Sequence, residues 1–337
     1  MTAGNRLEHA ATYMEKANSV TGTVPSPTSR DHGGNLDDAI ARFGGAPRDW
    51  IDLSTGINPV PYTIPPIPED AWARLPDKAA IQALLSAARS VWSVPPQAEI
   101  IAASGTSALI ARMPQLGPTT GRVRIAERTY NEHAASFLSA GWRVVRDGHA
   151  EATVLVHPNN PDGAFRDETE SAALTIIDES FCDLTPERSL VHRCAVPRTV
   201  VLKSFGKFWG LAGLRLGFAI GHPDSIEPMR AEIGPWAVSG PALHIGTKAL
   251  ADAKWAEATR ARLKQDAARL DRLVVAAGAR IVGGTDLFRL YDVGDAAKWQ
   301  DRLARHHIWS RIFPYDTGWL RLGLPAPEQW ARLEAAI

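Results

Sequence analysis

Between Ile100 and Ile220 the chain repeats one unit, a short apolar run rich in β-branched residues followed by a stretch patterned like a helix. The runs are Ile100–Ala103, Val123–Ala126, Arg143–Val145, Thr153–Val156, Thr175–Ile177, Thr199–Leu202 and Leu216–Ile220. They are nearly continuous in hydrophobicity, as strands are when both faces of a sheet are covered. Stretches such as 106–116 and 130–140 supply the covering helices. The pattern restricts this part of the chain to an α/β class with a mostly parallel sheet. From residue 241 the character changes. Residues 241–277 read as one long Ala/Arg/Leu-rich helix, and short strands follow around 286–291 and 318–323, so a smaller α+β domain is expected there. "GPWAVSGP" (234–241) is Gly/Pro-rich, as a boundary should be. The expected division is a loosely held leader (1–29), a large domain (30–235) whose first part contributes to the substrate side, and a small C-terminal domain (236–337). A length of 337 residues agrees with about two cores.

Lysine plus arginine (37) equals aspartate plus glutamate (37), which gives no electrostatic case for nucleic acid or an anionic membrane. Any anion must be bound by local groups. The two cysteines, Cys182 and Cys194, form no disulfide framework and no metal-ligand spacing, so no metal is expected and a reducing cytoplasm is the simple reading. Glu8 and Glu15 stand where a secretory signal would need an apolar core, and no apolar run approaches ~20 residues.

The chemistry is concentrated in "LKSFGKFWGLAGLRLGFAIG", Leu202 to Gly221. It leaves a strand through Ser204 and Gly206, presents Lys207, and returns through Arg215 to the next strand. A lysine at the carboxyl end of such a strand lies where open α/β sheets bind ligands. Burial there lowers its pKa and frees the neutral amine to attack an aldehyde. Ser204 and Arg215 suit a phosphate, one through a hydroxyl and the other through a planar fork. Upstream, "AASGTSALI" (102–110) ends a strand, turns at Gly105 and opens a helix with Thr106 and Ser107, a second phosphate cradle that is by itself also ordinary capping. "TIIDESF" (175–181) puts Asp178 at the end of a buried strand, which is costly unless a cation pairs with it.

These segments resemble the cofactor site of fold type I pyridoxal-phosphate (PLP) enzymes of the aminotransferase class I/II group, in that family's order, from about residue 31 onward. The resemblance implies an aspartate-aminotransferase-like fold, a large domain with a mostly parallel seven-stranded sheet plus a smaller α+β domain. It implies PLP as cofactor, anchored covalently on the catalytic Lys207. Its phosphate would be bound by Gly105, Thr106, Ser107, Ser204 and Arg215. Asp178 would hold the pyridinium nitrogen. Asn160, in "NNPDG", would bond the ring hydroxyl, and Tyr130 would stack on the ring. Two departures stand out. Many relatives carry a tyrosine where this chain has Phe181. Histidinol-phosphate aminotransferases carry Arg-Tyr-Pro-Asp where this chain reads "RLPD", so Leu75 replaces the tyrosine that reaches a neighbouring subunit's cofactor.

"HGGN" followed by "DLSTGINP", with "NNPDG", "SFGKFWGLAGLRLGF" and "GPWAVSGPA", is most similar to the cobalamin-biosynthetic threonine-phosphate decarboxylases. This implies loss of CO2 from L-threonine O-3-phosphate to give (R)-1-amino-2-propanol phosphate. His32, Gly33, Asn160, Arg311 and Arg321 would hold that phosphorylated amino acid, and a homodimer with sites near the subunit interface is expected. An aminotransferase of the histidinol-phosphate type shares the whole cofactor site and is the alternative. A non-catalytic binding domain would not need Lys207, Asp178 and Arg215 together. A fused DNA-binding regulator would need more leading chain than 29 residues.

Overall fold

The computed structural model describes residues 32–117, 120–166 and 172–337, and the expected leader lies outside the described residues. In chain order the strands are β1 (Ile51–Asp52), β2 (Glu99–Ala103), β3 (Arg122–Ile125), β4 (Arg143–Val145), β5 (Ala152–Val156), β6 (Leu174–Asp178), β7 (Thr199–Ser204), β8 (Gly217–Gly221), β9 (Arg280–Thr285), β10 (Phe288–Asp292), β11 (Ile308–Trp309), β12 (Arg311–Phe313) and β13 (Asp316–Gly323). Strands β2 to β8 form one seven-stranded sheet in the order β2-β8-β7-β6-β5-β3-β4. Within it β4, β3, β5, β6 and β7 run parallel, while β8 is antiparallel to both its neighbours. Every apolar run expected to be a strand is one.

The continuous hydrophobicity of these strands follows from their two buried faces. On β7, Val200 and Leu202 join Val123, Val154 and Ile176 in a core closed by Phe137, Ile226 and Met229 from helices Asn131–Ser139 and Pro223–Ile233. Val201, on the opposite face, joins Leu155, Ile177 and Ile220 under helices Lys78–Val91 and Gly240–Ala251. Each such aliphatic side chain contributes about 1.5–3 kcal/mol on full burial. Because β2, β3, β5, β6 and β7 point the same way, Ala103, Ile125, Val156, Asp178 and Ser204 all end on one edge, where function collects in such sheets.

Two helices differ from expectation. The stretch 241–277 is broken into Gly240–Ala251 and Ala253–Ala276, because the Asp252 side chain accepts the Trp255 N–H and starts a new helix. The stretch 106–116 is helical only over Thr106–Ile110. A second, tighter turn, Met113–Leu116, then begins with Pro114 near its start, where proline's missing N–H is not needed.

The expected strands around 286–291 and 318–323 are β10 and β13, central in an antiparallel four-stranded sheet of order β12-β13-β10-β9. Helix Ala253–Ala276 buries Leu270 and Val274 in the core that also takes Tyr291 and Leu320 from this sheet. A parallel pair, β1 with β11, ties residues 51–52 to 308–309.

Candidate active site

Lys207 sits in the loop that leaves β7, and its carbonyl accepts the Asn58 N–H at 3.0 Å. Its ammonium is pushed down to about 8, first by desolvation and then by the guanidinium of Arg321, with Arg215 acting the same way against Asp178 and Asp52. Lys203, four residues earlier, behaves oppositely. Burial disfavours its charge, but Glu179 at 2.6 Å and Asp183 at 3.8 Å outweigh that, so it stays an ammonium above the ordinary range. Of the two lysines, Lys207 is therefore the one available as a neutral amine near neutral pH. Glu179 also stands near His157 and Cys182, and its carboxylate is already taken by Lys203, Ser189 Oγ (2.6 Å) and Leu190 N–H (2.5 Å).

Around the return into β8, two glycine-dependent approaches build a cradle. Gly105 has φ +89°, and a Cβ on it would fall 2.7 Å from Arg215 Nη2. Gly217 lies opposite Ser204, and its Cβ would fall 2.4 Å from the Thr106 nitrogen. Arg215 itself is left-handed, at φ +52°. Thus Gly105, Thr106, Ser204 and Arg215 converge where a phosphate would meet a hydroxyl, backbone N–H groups and a guanidinium, which fits the phosphate end of PLP. Ser107 is exposed in the first turn of the same helix.

Asp178, at the end of β6, is 2% exposed. Burial pushes its carboxyl up, but His133 at 2.8 Å, the Ser180 hydroxyl at 2.5 Å and the Ser180 N–H at 2.9 Å outweigh it, leaving the group below the ordinary carboxylate range. An anionic acceptor kept ionised in a dry site suits a protonated ring nitrogen. His133 is a residue that sequence reasoning missed. It lies on helix Asn131–Ser139, and Tyr130, which starts that helix, meets its ring edge-on at 6.0 Å.

The opposite wall is made by Arg321 on β13, 6% exposed. Its Nη1 donates to Asn160 Oδ1 and its Nη2 to the Ser54 carbonyl at 2.6 Å, while Nε has no partner among the described residues. Desolvation, then the neighbouring Arg311, lowers it to about 10. With Asn160 Oδ1 engaged by Arg321, the amide nitrogen is the donor end of that side chain. Ser54 belongs to "DLSTGINP" (52–59), a candidate substrate-holding segment in which the sequence singles out no one residue. Its hydroxyl receives the Gly34 N–H at 2.7 Å, and a Cβ on Gly33 would stand 2.3 Å from its carbonyl, so "HGGN" lies directly against the residue that Arg321 holds. His32 pairs with Glu132 at 2.8 Å, 6.2 Å from the Tyr130 ring. Arg311 lies opposite Arg321 across the β12–β13 pair.

Phe181 is buried, 4.9 Å from Phe288 and 5.6 Å from Lys207 Nζ, with no hydroxyl to offer. Leu75 is exposed. The remaining expected residues fall into two groups. Gly105, Thr106, Ser204 and Arg215 form one end, and Lys207, Asp178, Asn160, Arg321 and Gly33 lie toward the other.

A family model for aminotransferase class I and II matches residues 150–337. The threonine-phosphate decarboxylase of a Sinorhizobium species is 40% identical over 318 residues, covering 88% of this chain and 93% of the relative. The threonine-phosphate decarboxylase of Pseudomonas aeruginosa is 38% identical over 328 residues, 91% of this chain and 97% of that one. The histidinol-phosphate aminotransferase of Symbiobacterium thermophilum is 31% identical over 245 residues, 65% and 67% of the two chains. Among solved structures, histidinol-phosphate aminotransferase from Sinorhizobium meliloti with pyridoxal-5'-phosphate superposes with a TM-score of 0.72 at 18% identity, covering 95% of this chain and 97% of that one. L-threonine-O-3-phosphate decarboxylase from Porphyromonas gingivalis superposes at 0.68 and 18%, covering 84% and 97%. The fold, the converging residues and these likenesses together mean that the chain belongs to the aminotransferase class I and II family.

Proposed function

We propose that this protein is a PLP-dependent carboxy-lyase that converts L-threonine O-3-phosphate to (R)-1-amino-2-propanol phosphate in cobalamin biosynthesis. The observation that carries the choice of reaction is similarity at 38–40% identity along most of the chain to threonine-phosphate decarboxylases, against a shorter and weaker likeness to an aminotransferase.

Gly105, Thr106, Ser107, Ser204 and Arg215 would hold the cofactor phosphate, Asp178 the ring nitrogen, Asn160 the ring hydroxyl, and Tyr130 the ring face. When bound, PLP supplies the electron sink that accepts the pair left behind as CO2 departs. The chain's own task is to choose the bond that breaks. Arg321 would fix the α-carboxylate and thereby select the bond to it as the one that breaks. Arg311 and His32, with Gly33, would receive the distal phosphate. Lys207 Nζ, neutral in part near neutral pH, would give way to the substrate amine and return a proton to the carbon that has lost CO2. In this reading residues 30–235 form the large cofactor-binding domain, its first part contributing to the substrate entrance, and 236–337 the small C-terminal domain.

The protein would work as a cytoplasmic homodimer. Trp72 and Leu75 are exposed beside Gly240, which abuts the Ala71 carbonyl, and Ile64 and Trp236 are exposed as well. Large apolar surface of this kind is what a second copy covers. No helix among the described residues is long and apolar enough to cross a membrane.

The test is to incubate PLP-loaded protein with L-threonine O-3-phosphate and no keto acid. The expected result is catalytic CO2 release with 1-amino-2-propanol phosphate as product, lost in Lys207→Ala. No CO2, with conversion of the cofactor to its pyridoxamine form by histidinol phosphate or an amino acid, would make the protein an aminotransferase.

A further inference from the structure

One row crosses the small sheet. Gly283 on β9 is opposite Leu290 on β10, Leu290 is opposite Arg321 on β13, and Arg321 is opposite Arg311 on β12. Residues directly opposite in antiparallel strands project to the same face. The face that carries both arginines therefore begins, at the sheet edge, with a position that has no side chain.

What occupies that place is the turn after β5. An ideal Cβ on Gly283 would lie 2.2 Å from the Asp162 carbonyl oxygen. The same carbonyl accepts the Gly284 N–H at 2.7 Å. On the other side of the contact, Gly163, at φ +71°, would put a Cβ 2.0 Å from the Gly284 carbonyl. The turn is otherwise held from within. Asn159 Nδ2 donates to Asp162 Oδ1 at 2.8 Å and to the Arg128 carbonyl at 2.9 Å, and Thr129 Oγ1 donates to Asn159 Oδ1 at 2.6 Å. It is a stiff piece, and Asn160, which meets Arg321, is part of it. Beside the seat β9 carries a bulge: Leu290 and Tyr291 face Gly283 and Ile281, leaving Val282 unpaired, and such bulges re-aim a strand locally.

We propose that Gly283 is a positioning residue, a bare seat on which the 159–163 turn rests and which thereby sets the depth of the α-carboxylate grip shared by Asn160 and Arg321. The proposal rests on the assignment of Arg321 to the α-carboxylate above. Gly283 does not have a left-handed φ, so alanine is conformationally tolerated there and the substitution reports on the contact alone. Bringing 2.2 Å to ordinary contact moves the turn by about 1 Å, a displacement that can cost on the order of 100-fold when it falls on a positioning group.

The experiment compares two ligands that differ only by the carboxylate. Wild-type, Gly283→Ala and the same-strand control Ile281→Ala, all loaded with PLP, are rapidly mixed with L-threonine O-3-phosphate or with 1-amino-2-propanol phosphate, and the cofactor absorbance is read before turnover converts the first ligand into the second. Gly283→Ala is expected to weaken the amino acid by at least about 10-fold and the amine by less than about 3-fold, with Ile281→Ala like wild type for both. Equal effects on the two ligands, or none, would overturn the proposal, because a merely structural defect does not recognise a carboxylate. If Gly283→Ala does not fold or retain cofactor, amide exchange of Gly284 in Lys207→Ala, which does not turn the amino acid over, decides. Slowing by the amino acid but not by the amine supports the seat, and equal response refutes it. A wild-type spectrum that ignores L-threonine O-3-phosphate would sink the substrate assignment instead, and the variants would then be read with L-glutamate against 4-aminobutyrate.

Discussion

Lys207 should titrate near pH 8 in the cofactor-free protein. At pH 7.5 a lysine of ordinary pKa 10.5 is neutral in about one molecule per thousand, whereas one lowered to about 8 is neutral in roughly a quarter, a ~200-fold gain in the reactive form. Burial supplies the largest part of that shift and Arg321 the next, opposed by Asp178. The signs for variants follow. Arg321→Gln removes a repelling cation and should raise the midpoint, while Asp178→Asn removes an attracting anion and should lower it. The assay is competitive acetylation of the apoprotein from about pH 6 to about pH 11, with the extent at Lys207 read by mass spectrometry and Lys254 on the exposed helix surface as internal reference. A wild-type midpoint above about 10, or variants moving the wrong way, would refute the electrostatic account. The same shift makes a linkage prediction. Between pH 8 and 10.5 the unfolded chain holds the Lys207 proton and the folded apoprotein does not, so this group's contribution to stability rises with pH across that window.

Lys203→Met would leave the carboxylates of Glu179 and Asp183 buried without their cation, and should cost about 3–5 kcal/mol in urea unfolding; a loss below about 1 kcal/mol would show that the triad is dispensable. Gly105→Ala would drive a Cβ into the Arg215 guanidinium and place alanine at φ +89°, so the dissociation constant for PLP should rise at least about 10-fold by fluorescence titration, with an unchanged value counting against the cradle. Trp72→Glu with Leu75→Glu should leave only monomer in sedimentation velocity where wild type gives the proposed dimer, and a persisting dimer would place the interface elsewhere.

The parts that were legible in the chain are those with a local signature. Seven apolar runs became seven strands because burial on both faces leaves no polar alternation to misread. Gly105, Asn160, Asp178, Lys207 and Arg215 could be singled out as candidates because each stands at the end of a strand or in a turn of recognisable composition. His133 was not, since nothing three residues beyond Tyr130 announces that its partner stands 45 residues away on β6. Ser54 acts through a backbone carbonyl, which every residue possesses. Gly283 acts through the absence of a side chain, in a glycine pair that reads equally well as loose loop. The two-residue strands β1 and β11 are too short to carry a period at all. Asp252 falls inside the single helix expected over 241–277, whereas its side chain accepts the Trp255 N–H and divides that helix in two.

The β1–β11 pair has a consequence for how the protein is made. Residues 51–52 leave the ribosome about 250 residues before their strand partner, residues 308–309. Ser54 must likewise wait for Arg321. The phosphate cradle and Lys207 are complete once synthesis has passed Gly221, so a nascent chain can acquire its cofactor-binding half while the substrate wall is still unmade. A chain arrested after residue 305 should then retain PLP by fluorescence yet show no spectral response to L-threonine O-3-phosphate, the two abilities arriving at separate moments of translation.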